Sequence, residues 1–171
     1  MRKIVAGFAM SLDGYIEGPH GEYDWITMDK DFDFVGHMKR FDTFFFGRKS
    51  YDKLRQAGNV LFPGIKNYVF STSLDTVDKE FTLLSGDIRK LVMNIKEQFG
   101  KDIAVYGGAD LVSSLLDLHL IDELNMSVIP VVLGDGKPMA KNLKQRVYLT
   151  LIDTKKFLSG TVQLIYQIKQ K

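Results

Sequence analysis

The 171-residue sequence contains no cysteine and only three histidines. Without cysteine, the chain cannot form a disulfide framework, a zinc–thiolate site, an iron–sulfur cluster or a thiol nucleophile. His20, His37 and His119 are far apart and lack the spacing of metal ligands, so we predict no metal site. Any redox chemistry would therefore depend on a diffusible cofactor, because no side chain of this sequence carries electrons.

Long apolar runs are also absent, and none approaches the roughly 20 residues of a membrane helix. The apolar run from Ile4 to Met10 follows Met1-Arg2-Lys3, as in a signal peptide, but it is short and has no small-residue cleavage site. We therefore expect a cytoplasmic protein without a membrane partner. The length predicts one domain over residues 1–171.

The net charge of +2 hides an uneven distribution. Residues 137–171 contain 8 basic and 1 acidic side chains, whereas residues 1–136 contain 15 basic and 20 acidic ones. This basic segment could bind nucleic acid, or its lysines could protect the edges of terminal strands. We favour the second interpretation, with no nucleic-acid partner, because the lysines flank strand-like runs: Lys155, Lys156, Lys169 and Lys171.

Strand-like and helix-like patterns alternate along most of the chain. Short apolar runs predict buried strands, and apolar residues at helical spacing predict amphipathic helices, with Asp31 as an N-cap of the first. We predict strands at 4–10, 43–46, 68–70, 81–84 and 103–106, helices at 31–40, 49–56, 87–99 and 109–118, and three final strands at 123–133, 147–156 and 161–169. This order predicts a three-layer α/β fold with a mixed, mostly parallel central sheet and antiparallel C-terminal strands.

Three predicted strands end in residues that suit phosphate binding. These segments are Gly47-Arg48-Lys49-Ser50, Ser71-Thr72-Ser73 and Gly107-Gly108-Ala109. Two of them open helices, whose first N–H groups attract anions, and glycine lets the backbone approach a ligand closely. Each segment also has an ordinary structural interpretation, as a turn or as close packing. Neither a Rossmann G-x-G-x-x-G nor a P-loop pattern occurs at these junctions.

Longer motifs make the sequence resemble one known family. The motifs are the run from Ala9 to Ile16 (Ala-Met-Ser-Leu-Asp-Gly-Tyr-Ile), the run from Phe46 to Tyr51, Tyr106-Gly107-Gly108-Ala109, Leu120-Ile121-Asp122-Glu123-Leu124 and the run from Pro130 to Pro138. Together they resemble the dihydrofolate reductase-like superfamily, in the branch of the C-terminal reductase domain of the riboflavin-biosynthesis deaminase/reductase. The resemblance covers essentially the whole chain and implies an eight-stranded mixed sheet flanked by helices.

The resemblance implies that the cofactor is NADPH. The pyrophosphate and the 2′-phosphate would meet Gly47, Arg48, Lys49 and Ser50, where serine replaces a more usual threonine. Three further sets of residues are implied: Ser71, Thr72 and Ser73 at the adenosine, Gly107, Gly108, Ala109 and Asp110 along the other phosphate edge, and Ala9 and Ile16 at the nicotinamide. Ile16 would belong to a mobile loop after the first strand.

The substrate side is less specific in the sequence. Family reductases often have an acidic group on the first helix, and Asp31 has a suitable spacing, 16 residues before Gly47. Asp29 and Asp33 are alternatives, and Asp31 could instead be a plain N-cap. Trp25 is not followed by the proline typical of true dihydrofolate reductases, which weakens a folate interpretation. Trp25 and Tyr106 are candidate substrate contacts.

The function implied by the resemblance is an NADPH-dependent reductase. It would transfer hydride to a small heterocyclic or ribosylamino substrate, as in the reduction of 5-amino-6-(5-phosphoribosylamino)uracil in riboflavin biosynthesis. A stand-alone bacterial-type domain without the deaminase could have acquired another substrate. Alternative interpretations are a dihydrofolate or pteridine reductase and an NADPH-binding module without turnover. Homodimers are common in this branch, so the late strands are expected to mediate one.

Overall fold

The computed structural model describes residues 1–58 and 61–169, so Lys171 lies outside the described residues. The elements of this part of the chain are β1 (Ile4–Ser11), β2 (Tyr15–Glu17), α1 (Phe34–Met38), β3 (Phe41–Gly47), α2 (Arg48–Gln56), β4 (Lys66–Phe70), β5 (Phe81–Leu84), α3 (Ile88–Lys96), β6 (Asp102–Val105), α4 (Ala109–Asp117), β7 (Glu123–Ile129), β8 (Lys137–Pro138), β9 (Leu149–Lys156) and β10 (Val162–Ile168). The predicted alternation of strands and helices is confirmed.

Eight strands form one sheet in the order β5-β4-β3-β6-β1-β7-β10-β9. All neighbours from β5 to β7 are parallel, whereas β10 is antiparallel to β7 and β9 is antiparallel to β10. The predicted mixed, mostly parallel sheet with antiparallel C-terminal strands is therefore confirmed. Two shorter strands, β2 and β8, pair separately as a small ribbon that the sequence pattern did not predict.

The pleat of β3 divides the core between the two faces of the sheet. Phe44 and Phe46 pack with Tyr51 and Leu54 of α2, and Met38 of α1 packs against the same cluster. Phe45 points to the opposite face, where it packs with apolar residues of α3 and α4: Val92, Ile95, Leu111, Val112, Leu115 and Leu116. Alternate residues of a strand point to opposite faces, so three consecutive phenylalanines serve both cores. The result is three layers, with two helices on each face.

The first helix is shorter than predicted, and its N-cap is Asp33 rather than Asp31. The Asp33 carboxylate accepts a hydrogen bond from the Gly36 amide at 2.8 Å, which is the contact of an N-cap. Residues 29–32 form a turn closed by the Phe32 amide and the Asp29 carbonyl at 3.1 Å. The proposed N-cap role of Asp31 is therefore wrong, since Asp31 lies inside that turn.

The third helix begins as predicted but ends earlier. The Asp87 carboxylate caps it by accepting from the Lys90 amide at 3.1 Å. The helix ends at Lys96, and Phe99, the last residue of the predicted helix, is fully exposed. The Gln98 amide bonds to the carbonyl of Ile95, three residues back, so the chain tightens and leaves the helix before Phe99 reaches the core.

Ion pairs join the elements at the amino end of the sheet. Arg40 pairs with the buried Glu123 at 2.5 Å and with Asp102 at 2.7 Å, and these bonds raise the pKa of Arg40. Lys96 pairs with Asp122 at 2.6 Å. Because these pairs join the beginnings of strands, they hold the end of the sheet opposite to the one where ligands of parallel sheets bind.

Candidate functional site

Two strand ends meet at the carboxyl end of the sheet, and each opens a helix. β3 continues directly into α2 at Gly47, and β6 leads through Gly107 and Gly108 into α4. The Gly47 amide donates to the Gly107 carbonyl at 2.9 Å, so the two junctions are held together. Both helices have a glycine N-cap, and neither cap makes a side-chain hydrogen bond. The first N–H groups of both helices are therefore available to an anion.

Glycine is required where the two junctions touch. Gly107 has a φ of +117°, and a Cβ there would lie 3.1 Å from the Ser50 hydroxyl oxygen. A Cβ on Gly108 would lie 3.3 Å from the same oxygen, and the Gly107–Gly108 peptide is cis. The Ser50 hydroxyl thus packs directly against the Gly-Gly backbone, which lets the two junctions approach each other closely.

A cleft of about 310 Å³ opens between the two helix N-termini. Six of its lining residues are predicted cofactor contacts, namely Gly47, Arg48, Lys49, Gly108, Ala109 and Asp110, and Leu111 follows them in the sequence. Phe70, Ile88, Ser114 and Lys137 complete the lining. No local pattern marked these four residues as functional, because they come from four different elements. The predicted phosphate-binding segments after β3 and β6 are thus brought together in space.

Arg48 reaches across the carboxyl end of the sheet to the third predicted segment. Its Nη1 donates to the Ser73 hydroxyl at 3.0 Å, and its Nε lies 3.5 Å from the Asp52 carboxylate. The Ser71 hydroxyl accepts from the amides of Ser73, at 3.2 Å, and Leu74, at 3.1 Å. Residues 71–73 therefore form a turn, in which Thr72 is exposed. The turn also brings the hydroxyl groups of Ser71 and Ser73 together beside the Arg48 guanidinium. That combination suits a phosphate monoester.

Asp110, in the first turn of α4, is paired with two lysines. Its carboxylate lies 3.1 Å from Lys141 Nζ and 3.6 Å from Lys49 Nζ. The hydrogen bond from Lys141 is the main cause that lowers the pKa of Asp110. Lys141 belongs to the basic C-terminal segment, so the interpretation of that segment as protection of strand edges is incomplete. It fits Lys155, which lies on the edge strand β9, but Lys141 adjoins the cleft.

The loop after β1 is tied to the loop after β7. Asp13 accepts hydrogen bonds from the amides of Leu133, at 3.2 Å, and Gly134, at 2.8 Å. Ile16 lies in β2, which pairs with β8, and Ala9 lies in β1 beside Ser127 of β7. Neither Ala9 nor Ile16 lines the cleft between the helices. Asp13 thus joins the two loops, which is a structural role.

Tyr106 stands on the sheet face that carries α1 and α2. Its half-exposed ring stacks on Phe44 with a centroid distance of 5.6 Å and lies 5.0 Å from Phe46. The next residue, Gly107, belongs to the junction at the cleft. The indole nitrogen of Trp25 is buried and has no hydrogen-bond partner among the described residues. A buried N–H donor of this kind is available to a ligand.

The three acidic candidates have different surroundings. Asp29 accepts from the Ser159 amide at 3.2 Å in the β9–β10 turn, and hydrogen bonding to Ser159 is the main cause that lowers its pKa. Asp33 caps α1. Asp31 is exposed, and only its backbone carbonyl is engaged, by Lys155 Nζ at 3.4 Å. Within the described part of the chain, Asp31 is thus the one of the three whose carboxylate has no structural role.

Two absences apply to residues 1–58 and 61–169. No group of three or more His, Cys, Asp or Glu side chains is placed to hold a metal ion. No helix in these ranges is both long and apolar enough to cross a membrane.

Comparison with known proteins agrees with this architecture. The family model of the RibD C-terminal domain matches residues 2–163. The uncharacterized protein YyaP of Bacillus subtilis is 38% identical over 177 aligned positions, which cover 96% of this chain and 94% of that protein.

Solved structures show the same fold. A putative riboflavin biosynthesis protein from Shewanella sp. PV-4 has a TM-score of 0.88 at 23% identity, over 98% of this chain and 99% of that one. A TM-score of 0.73 at 16% identity relates the chain to a bifunctional enzyme of Thermotoga maritima, over 98% of this chain and 57% of that one. That enzyme is the diaminohydroxyphosphoribosylaminopyrimidine deaminase/5-amino-6-(5-phosphoribosylamino)uracil reductase. Enterococcus faecalis dihydrofolate reductase, complexed with NADP(H), has a TM-score of 0.68 at 14% identity, over 98% of this chain and 97% of that one. The fold is therefore dihydrofolate reductase-like.

Proposed function

The chain belongs to the family of the RibD C-terminal domain, and on that premise we propose that it is an NADPH-dependent reductase. Its substrate is a small heterocyclic or ribosylamino compound of the class of 5-amino-6-(5-phosphoribosylamino)uracil. The reaction adds a hydride and a proton across a C=N or C=O bond and leaves NADP⁺. The observation that carries the proposal is the pair of glycine-capped helix N-termini joined at Gly47 and Gly107.

The residues of this cleft fit a dinucleotide phosphate. When bound, NADPH supplies the hydride, and the protein supplies binding and orientation. Gly107 and Gly108 pack against the Ser50 hydroxyl, and a Cβ on either glycine would crowd it. Two helix N-termini without side-chain caps offer N–H groups to a pyrophosphate. Lys49, which lines the cleft, adds a positive charge there and pairs with the Asp110 carboxylate.

Arg48 is the residue that would distinguish NADPH from NADH. Its guanidinium already lies against Ser73, whose neighbour Ser71 holds the turn. A 2′-phosphate at this point would accept hydrogen bonds from Arg48 and from the serine hydroxyls. NADH lacks that phosphate, so it would leave the guanidinium with its present contacts only.

On the substrate side, Asp31 and Tyr106 have the groups that the reaction needs. A carboxylate without structural contacts can hold a proton or orient a ring nitrogen in the substrate. The half-exposed ring of Tyr106 offers a flat surface for a heterocycle. We propose Asp31 as the catalytic acid and Tyr106 and Trp25 as substrate contacts.

The test is NADPH oxidation, followed by absorbance, with a panel of aminouracil, pteridine and folate substrates. Turnover with an aminouracil and its loss in Asp31→Ala, with unchanged NADPH affinity, is the expected result. Asp24→Ala is the matched control, because Asp24 is an exposed acid of the same connecting segment. Turnover with folate or pteridine alone would favour the alternative reductase. Tight NADPH binding without any turnover would indicate a non-catalytic module, and no NADPH binding would overturn the proposal.

We also propose that the protein forms a homodimer through β9. This strand is at the edge of the sheet, and Leu151 and Ile152 on it are about half exposed, as is Tyr148 beside it. The contact would use the apolar first half of β9, because Lys155 and Lys156 protect the edge at its other end. Sedimentation analysis of the wild type should show a dimer, and Leu151→Glu should disrupt it. The control is Leu158→Glu, the same substitution at an exposed leucine beyond the strand, which should leave the dimer intact. A monomeric wild type would refute the proposal.

A further inference from the structure

The central strand of the sheet has an uncovered glycine. Gly7 lies in the middle of β1, between β6 and β7, yet it is exposed. Val5, on the same face of the strand, is fully buried. A Cβ added to Gly7 would have the Asn125 carbonyl oxygen as its nearest contact, at 3.8 Å. The face that α1 and α2 cover elsewhere is therefore open above Gly7.

Neighbouring strands provide the surroundings of this opening. Val105 of β6 pairs with Ala6, so the following residue, Tyr106, comes beside Gly7 on one side. Asn125 of β7 pairs with Gly7 on the other side. A glycine floor with an aromatic ring at its edge suits a flat ring, which can lie close to the strand backbone.

A pair of side-chain amides lies next to the floor. Asn125 is only 6% exposed, and its Oδ1 accepts a hydrogen bond from Gln163 Nε2 of β10 at 2.9 Å. This bond leaves the Asn125 Nδ2 group as a donor and the Gln163 Oε1 atom as an acceptor. Neither has a partner in residues 1–58 or 61–169. If both amides were turned over, the pair would still offer one donor and one acceptor.

We propose that Asn125 and Gln163 are specificity-determining residues that recognise the substrate ring. A donor beside an acceptor complements the N–H and C=O groups of a lactam or imide, as found on the edge of a uracil-type ring. The ring would lie over Gly7 beside Tyr106, with that edge toward the amide pair. This inference rests on the proposed reductase function, because it assigns the substrate side of the same site.

The backbone of Asp31 is held at the edge of the same sheet. Lys155 of β9 is the cross-strand partner of Gln163, and its Nζ bonds to the Asp31 carbonyl. Asp31 thus lies at the outer border of the sheet face that carries Gln163, Asn125 and Gly7.

The first experiment uses two ligands that differ only in their ring N–H groups. 5,6-Diaminouracil has them, and 1,3-dimethyl-5,6-diaminouracil does not. Calorimetry on the wild type should show binding of the first that is about tenfold or more tighter than that of the second, because an unmatched buried polar group is costly. In the double variant Asn125→Leu/Gln163→Leu, the two ligands should bind equally. An unchanged preference in the double variant would overturn the proposal.

Two further variants separate loss of recognition from loss of folding. Gly7→Val fills the open floor with a residue that favours strands, so it should keep the melting temperature and abolish diaminouracil binding. Gln167→Leu is the matched control, because Gln167 is an exposed glutamine of the same strand, four residues after Gln163. It should bind both ligands like the wild type. Equal diaminouracil affinity in Gly7→Val and wild type would refute the placement.

These measurements also separate this inference from the proposed function. In turnover assays, the Asn125 and Gln163 variants should raise KM for an aminouracil about tenfold or more and leave the NADPH affinity unchanged. If the wild type binds NADPH and turns over but the variants keep its KM, the amide assignment fails and the reductase proposal stands. If the wild type binds diaminouracil in a Gly7-dependent manner without turnover, the binding site stands and the reductase proposal fails.

Discussion

Replacement of Arg48 by alanine should weaken NADPH binding much more than NADH binding. The side chain is 55% exposed, and its contacts are a hydrogen bond to Ser73 at 3.0 Å and an ion pair with Asp52 at 3.5 Å. The Asp52 pair is between exposed groups and contributes about 0–1 kcal/mol, so it competes weakly with a phosphate. A hydrogen bond to a charged phosphate is worth about 1.5–3 kcal/mol, and the exposure of Arg48 favours the lower end.

The expected loss of NADPH affinity is therefore about 1–2 kcal/mol, or roughly 5- to 30-fold in Kd. NADH affinity should change by less than about twofold. Fluorescence titration measures both, through quenching of Trp25, the single tryptophan, or through the nicotinamide itself. The NADPH preference should also decline at high salt, because the phosphate contact is only partly shielded from solvent.

Arg55→Ala is the matched control for this measurement. Arg55 belongs to the same helix, is 53% exposed and pairs with Asp78 at 3.0 Å. It does not line the cleft, so its removal should leave both affinities unchanged. Equal losses of NADPH and NADH affinity in Arg48→Ala, or equal affinity of the wild type for the two cofactors, would refute the assignment of Arg48 to the 2′-phosphate.

Three other perturbations have defined outcomes. Gly107→Ala requires φ near +117° and crowds Ser50, so it should destabilise the fold by about 1–3 kcal/mol and abolish NADPH binding; wild-type affinity would contradict this. Asp122→Ala removes the acceptor of the mostly buried Lys96, so denaturant unfolding should show a loss of about 3 kcal/mol, partly recovered by adding Lys96→Met. Burial is the main cause that lowers the pKa of His37, so protonation favours the unfolded chain. The unfolding free energy should fall as the pH drops below 6.5, and His37→Phe should reduce that decline; an equal slope would refute it.

The parts of the site that sequence reasoning located are those made of consecutive residues. The junctions at Gly47 and Gly107 each combine a buried strand, a glycine and a helix start, and this order is visible in the sequence itself. Their meeting in space followed from a general property of parallel sheets, whose carboxyl ends share one edge. The helix start predicted at residue 87 was likewise a local signal, since Asp87 and the amide that it binds are three residues apart.

The remaining parts depend on distant residues. Lys141 approaches Asp110 across the C-terminal segment, and Asn125 meets Gln163 between two strands. No periodicity marks such pairs. The prediction began α1 at residue 31, whereas residues 29–32 form a turn in which the Asp29 carboxylate is held by the Ser159 amide, and the helix begins at Phe34. A tertiary contact thus overrides a local propensity.

The shortness of α1 would allow the proposed cofactor and substrate sites to lie on opposite faces of one sheet. The cleft between α2 and α4 is lined by Phe70, Ile88 and Leu111, which belong to or pack against the core of the α3–α4 face. Gly7 and the amide pair lie on the opposite face, where a five-residue helix leaves the late strands uncovered. The two faces are joined by the step from Tyr106 to Gly107, since the tyrosine ring stands on the first face and the next peptide belongs to the cleft. Under the proposed function, hydride transfer requires the reacting atoms to be about 3–3.5 Å apart, so a bound nicotinamide would have to reach past this step to the substrate ring. Gly107 occupies this step because its φ of +117° and the Ser50 hydroxyl, 3.1 Å from the position of a Cβ, exclude a larger residue.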